Sequence, residues 1–138
     1  MMTNGADGTI RVAVVGAHLE GQPLNHQLTD LGGRLVATTR TAACYRFYAL
    51  DTVPPKPGLV RVADGEGAGI EAEVWALRPA AFGTFVDAVP APLVIGRVRL
   101  EDGTDVAGFL CEPIAIGTGV EITELGGWRA YVSGRPAD

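Results

Sequence analysis

From residue 10 to residue 15 the chain is almost unbroken apolar, with β-branched residues at most positions. A run of that kind predicts a central strand buried on both faces. Beyond Gly16 polar residues take over, and Leu24, Gln27, Leu28 and Leu31 recur at helical spacing. Pro23 suits the opening of that helix and Gly32-Gly33 its end. Strands are predicted over 34–39 and 45–50. Val53-Pro54-Pro55-Lys56-Pro57-Gly58 reads as a rigid connector, because proline cannot donate to a central ladder, and a short strand follows over 59–62. After a turn at Asp64-Gly65-Glu66-Gly67, residues 69–77 alternate most clearly. Ile70, Ala72, Val74 and Ala76 fall on one face, with Glu71, Glu73 and Trp75 on the other. Pro79 opens a second helix with Phe82, Phe85 and Val86 on a shared face, ended by Pro90 and Pro92. Residues 97–100 and 106–111 flank Glu101-Asp102-Gly103-Thr104 as a hairpin. A helical turn over 122–125 and a last strand over 128–132 complete the pattern. It predicts an α+β protein on a small barrel or strongly bent sheet.

Length and composition narrow the class. With 138 residues, 47% hydrophobic and 20% charged, the chain is sized for one globular domain with its own core. Residues 1–9 are polar and glycine-rich and read as a short disordered lead rather than a signal peptide, leaving a single domain over 10–138. No segment approaches a membrane span. The net charge of −5 argues against a nucleic-acid footprint, which needs clustered Lys and Arg. Lys56 is the sole lysine, so arginine carries the rest of the positive charge. Arginine suits bidentate recognition of carboxylates. Cys44 and Cys111 lie far apart in apolar surroundings without CxxC spacing, which reads as two buried reduced thiols of a cytoplasmic protein. No metal-ligand spacing, GxGxxG or phosphate loop is present, so neither a metal nor a cofactor is expected.

The chemistry concentrates just past the first strand. His18, Glu20, Gln22, Asn25, His26 and Gln27 crowd into a short stretch that holds both histidines. A buried strand ending in glycine and a polar cluster is a common way to build a small-molecule pocket. Gly16 and Ala17 let backbone N–H groups approach a carboxylate. Asn25 either binds a ligand or caps the turn, and His26 faces solvent from the helix. Arg40, Tyr45 and Arg46 form a second cluster, in which one arginine clamps a carboxylate and Tyr45 donates a hydrogen bond. Strand alternation separates Tyr45 and Phe47 from Arg46 and Tyr48, with Tyr45 turned inward. Glu112 is read as a buried acid paired with an arginine or as half of a rim salt bridge. Trp75 and Trp128 are read as core or interface aromatics.

The blocks GAHLEGQPLNHQL, TRTAACYRFYAL, VPPKPGLVRV, EAEVWALRPAAFGTFV, GFLCE and GGWRAY follow one another without a large gap. In these the chain resembles the C-terminal domain of allophanate hydrolase over residues 12–131. The resemblance implies a γ-glutamyl cyclotransferase-like fold, a small mixed β-barrel with flanking helices. In that family an amidase-signature domain hydrolyses allophanate, and the C-terminal domain is associated with decarboxylation of N-carboxyurea. This sequence shows no amidase signature. The expectation is therefore a freestanding copy that partners a separate amidase or takes a similar small ureido carboxylate. The resemblance implies that His18 of the GAHL block acts as general acid/base. Gly16, Ala17, Leu19, Asn25, Arg40, Tyr45 and Arg46 are then the expected substrate contacts. The cyclotransferases' catalytic glutamate falls where this chain reads Asp87-Ala88-Val89-Pro90-Ala91-Pro92, so γ-glutamyl cyclisation is not expected. Asp87 reads as a solvated helix residue. The alternative is a non-catalytic small-ligand or assembly module, and the family's dimers suggest a homodimer.

Overall fold

The computed structural model describes residues 7–134. Most of the expected N-terminal lead, residues 1–6, lies outside them. The apolar run forms strand β1 (Ile10–Val14), and it is central as its composition requires. It pairs antiparallel with β5 (Glu71–Leu77), Val12 facing Trp75, and parallel with β7 (Asp105–Cys111), Ala13 facing Gly108. Strands β2 (Arg34–Arg40) and β6 (Leu93–Arg99) form the outer edges, giving a five-stranded sheet in the order β2-β5-β1-β7-β6. A second sheet of three strands orders β4 (Lys56–Arg61), β3 (Tyr45–Leu50) and β8 (Val120–Glu121). The architecture is thus mixed α+β.

The sheets do not form a closed barrel. The two edges of the large sheet meet at one end only, through a bridge between Thr41 and Leu100 flanked by Ala42 N–H to Arg99 O at 2.9 Å and Glu101 N–H to Arg40 O at 3.0 Å. The curl this implies wraps the core, where Tyr45, Phe47, Ile70, Phe85 and Val98 are essentially inaccessible.

Several predicted elements are corrected. The helix expected from Pro23 shrinks to α1 (His26–Thr29). Upstream of it the chain winds in three-residue turns, Leu19 N–H to Gly16 O and Gln22 N–H to Leu19 O, while Leu24 N–H bonds Ala17 O across the loop. Those acceptors take the donors that a longer helix would have used. Its end is as expected: Gly32 adopts φ +78° and Gly33 N–H closes onto Leu28 O. Strand β4 begins at Lys56, inside the proline connector, because it is an outer strand and Pro57 has no ladder bond to lose. The β6–β7 hairpin runs longer than expected, to Leu93 opposite Cys111. Helix α2 (Pro79–Ala88) appears as predicted, with Phe85 buried. The last predicted strand is instead helix α3 (Trp128–Ser133). Trp128, Tyr131 and Val132 satisfy a helical period as well as an alternating one, and Gly126 at φ +77° turns the chain just before it. Both faces of β5 are covered, so Glu73 is as buried as Val74. Among the described residues, no helix is long and apolar enough to cross a membrane.

Candidate functional site

The chain leaves β1 at Val14 and folds tightly under β4. A Cβ on Gly16 would stand 2.2 Å from Pro57 Cδ, so only glycine permits this approach. Each carbonyl of the next three residues is tied back into the loop. Gly16 O accepts from Leu19 N–H (2.9 Å), Ala17 O from Leu24 N–H (2.8 Å) and His18 O from Asn25 Nδ2 (2.9 Å). The N–H groups of Gly16, Ala17 and His18 have no acceptor among the described residues. Three consecutive N–H groups without an acceptor are left available to an anion.

His18 is 6% exposed and enclosed by aromatic rings. The Phe85 ring meets its imidazole edge-on at 5.0 Å and Phe109 stacks at 6.4 Å. Its Nε2 lies 2.9 Å from Gln27 Oε1. An amide oxygen only accepts, so Nε2 carries the hydrogen and Nδ1 keeps its lone pair. Burial pulls the His18 pKa below the ordinary histidine value of 6.5. The Lys56 and His26 charges push it the same way, against the Gln27 hydrogen bond. The ring is therefore neutral near pH 7.

His18 shares its pocket with Gly16, Ala17, Lys56, Leu93 and Phe109. The cavity is about 20 Å³, or about 350 Å³ with its open mouth included. As folded it has room for a water or two. Its walls are apolar apart from His18, Lys56 and backbone, and no carboxylate lines it.

Lys56 is the residue that sequence reasoning missed. It is 7% exposed, and its side chain makes no hydrogen bond or ion pair with any described residue. Burial lowers its pKa from the usual lysine value. The available signal was a lone lysine, in a chain whose other cations are arginines, set between prolines. Gln27 was noticed only as part of a polar cluster; its pairing with a residue nine positions earlier is a product of the fold.

The other expected contacts fall elsewhere. Leu19 is wholly buried in the core. Asn25 stands at the N-cap of α1 without a side-chain capping bond and instead holds the loop by donating to His18 O. Tyr45 is 0% exposed and its hydroxyl accepts from Arg99 N–H at 2.8 Å. Arg40 donates to Gly69 O (2.7 Å) and Gly126 O (3.1 Å), and with exposed Arg46 it lines a separate groove beside Glu66 and Glu121. Register explains the separation. Leu50, not Tyr45, faces Lys56 across the β3–β4 pair, and five residues of strand put Tyr45 roughly 17 Å further along. His26 is exposed, as expected, with Nδ1 3.0 Å from Pro23 O. Asp87 and Glu112 are exposed, and Trp75 and Trp128 lie in the core. Both cysteines are free and buried.

A sequence model of the allophanate hydrolase C-terminal domain matches residues 10–133. The urea amidolyase of Saccharomyces cerevisiae is 46% identical over 128 residues, which are 89% of this chain and 7% of that protein. The solved Kluyveromyces lactis allophanate hydrolase superposes with a TM-score of 0.88 at 41% identity, over 94% of this chain and 22% of that one. A uropathogenic E. coli-specific protein superposes at 0.84 with 37% identity, over 92% of this chain and 98% of its own. The chain thus spans about 7% of the length of the curated relatives it matches.

Proposed function

The chain belongs to the allophanate hydrolase C-terminal domain family, and from that premise we propose that it releases carbon dioxide from a small N-carboxylate, with His18 moving the proton. Its urea amidolyase relatives support a role in urea degradation. Atom balance then sharpens the substrate. Allophanate is itself N-carboxyurea, so hydrolysis of its amide releases ammonia and leaves a nitrogen bearing two carboxylates. That dicarboxylate, rather than a ureido acid, is what an amidase hands on.

In the step itself the bond from nitrogen to one carboxylate carbon breaks, and its electron pair stays on nitrogen. The nitrogen takes one proton, one carboxylate leaves as carbon dioxide and carbamate remains. His18 is neutral in the empty pocket. An anion entering beside it favours the protonated ring, so Nδ1 loads its proton together with the substrate. Gln27 holds the opposite nitrogen and so fixes which one does the transfer. Apolar walls offer little solvation to a carboxylate that must lose its charge on leaving.

The observation that carries this reading is a buried histidine beside unpaired backbone donors, in a pocket lined by no described carboxylate that would repel an anion. The test couples the chain to an amidase acting on allophanate and follows carbon dioxide release, with the uncatalysed rate measured by leaving the chain out. His18→Ala is expected to lower the catalysed rate by about 10²–10⁴-fold. Equal rates for wild type and variant would overturn the assignment and leave a binding module.

A further inference from the structure

We infer that Lys56 forms a second carboxylate subsite, which makes the pocket selective for dicarboxylates over their half-amides; the inference rests on reading the pocket as an N-carboxylate site. Lys56 is 7% exposed, lines the same cavity as His18, and no described residue supplies it an acceptor. No fully buried side-chain nitrogen or oxygen among the described residues lacks a partner. The Lys56 ammonium therefore keeps contact with solvent at the pocket while its stem is covered, and it has no counter-charge from the protein. Other buried or half-buried charges in this fold are paired: Arg99 with Asp105 at 3.0 Å, and Arg129 with Glu71 and Glu73 at 3.0 and 2.9 Å. No described carboxylate lines the cavity, so an anionic ligand entering it meets a cation that no protein group has already neutralised.

The donors come from two elements. The Gly16–His18 backbone contributes neutral N–H groups, while β4 contributes a full positive charge at its first residue. The reaction assigns them different tasks. The departing carboxylate becomes neutral carbon dioxide, so a fixed cation on it would hold the ground state back. The retained carboxylate keeps its charge throughout, and Lys56 pairs with it at no penalty to the reaction. Allophanate offers a carboxamide at that position, whose carbonyl can accept a hydrogen bond from the ammonium but supplies no counter-charge. The chain would therefore take the product of amide hydrolysis in preference to the amidase's own substrate.

Malonate and malonamate are the CH₂ counterparts of the dicarboxylate and of allophanate, and neither decomposes during measurement. Titration calorimetry on wild type is expected to show malonate bound at least about tenfold more tightly than malonamate. Lys56→Met should bring that ratio close to one with malonamate affinity unchanged, and Lys56→Arg should keep most of it. Thermal unfolding of both variants checks that they fold. A ratio near one in wild type, or an undiminished ratio in folded Lys56→Met, would overturn the subsite. The two readings fail separately. A Lys56-dependent preference alongside unchanged carbon dioxide release in His18→Ala sustains the subsite and sinks the reaction, and the converse pair of results does the reverse.

Discussion

Glu73 and Lys56 are buried to nearly the same degree, 3% and 7% exposed, and both lie beside the Gly16–Glu20 loop. Glu73 is saturated. Its Oε1 accepts from Glu20 N–H (2.8 Å) and Trp75 Nε1 (3.1 Å), and its Oε2 meets Arg129 Nη2 at 2.9 Å. Arg129 continues the network to Glu71 and to Glu20 O, tying α3 and the end of the loop onto β5. Lys56 has no such partner. The same loop is thus fastened at one end by a satisfied network and bordered at the other by an uncompensated charge. A buried charge with every partner supplied belongs to the architecture, and one with none marks where a ligand completes the electrostatics.

That contrast is open to measurement. Glu73→Ala strands the Glu20 N–H and Trp75 Nε1 donors and takes away one of the two carboxylates of Arg129, and should cost about 2–4 kcal/mol in urea unfolding. Lys56→Met removes a charge that nothing repays, and should leave stability unchanged or improved. Equal losses in the two variants would erase the distinction.

Gly16→Ala comes next in size. Its methyl would sit 2.2 Å from Pro57 Cδ, so β4 must shift, at about 1–3 kcal/mol. Because Lys56 adjoins Pro57, malonate binding should weaken in the same variant. Normal binding with lost stability would show that the Gly16–Pro57 contact serves packing alone.

The smallest effect is the dependence on pH. The His18 pKa in the folded chain lies below the 6.5 of an exposed histidine, so the unfolded chain takes the proton first. Its contribution to stability is complete above about pH 6.5 and is lost as pH falls towards the folded value, at no more than about 1.4 kcal/mol per pH unit. Wild type should therefore lose more stability than His18→Gln between pH 7 and pH 5. Saturating malonate should flatten that difference, since the bound anion favours the protonated ring. A difference unaffected by malonate would place the anion away from His18.

Local patterns were legible wherever a short stretch had only one way to satisfy itself. The apolar run of β1 fits nothing but a central strand, β3 has the predicted ends at Tyr45 and Leu50, and Pro79 opens α2. Legibility failed where two periods fit the same residues, as at Trp128 to Val132, or where a distant acceptor claimed a donor, as Ala17 O claims Leu24 N–H. The candidate site divides in the same way. His18, Gly16 and Ala17 are neighbours in sequence and so were found together. Lys56 joins them through the packing of Pro57 on Gly16, forty-one positions apart, and no spacing rule encodes that contact.

By itself, then, the amino-acid order determined the kind of fold, the loop that carries the chemistry and the family. These follow from hydrophobic periodicity, glycine placement and contiguous motif blocks, all of them short-range properties of the chain. Only the tertiary structure decided which charge borders the pocket, which nitrogen of His18 stays available and why Arg40, Tyr45 and Arg46 serve elsewhere. Those outcomes depend on strand register and on which buried group finds a partner, and both are settled only when distant segments compete for the same interior.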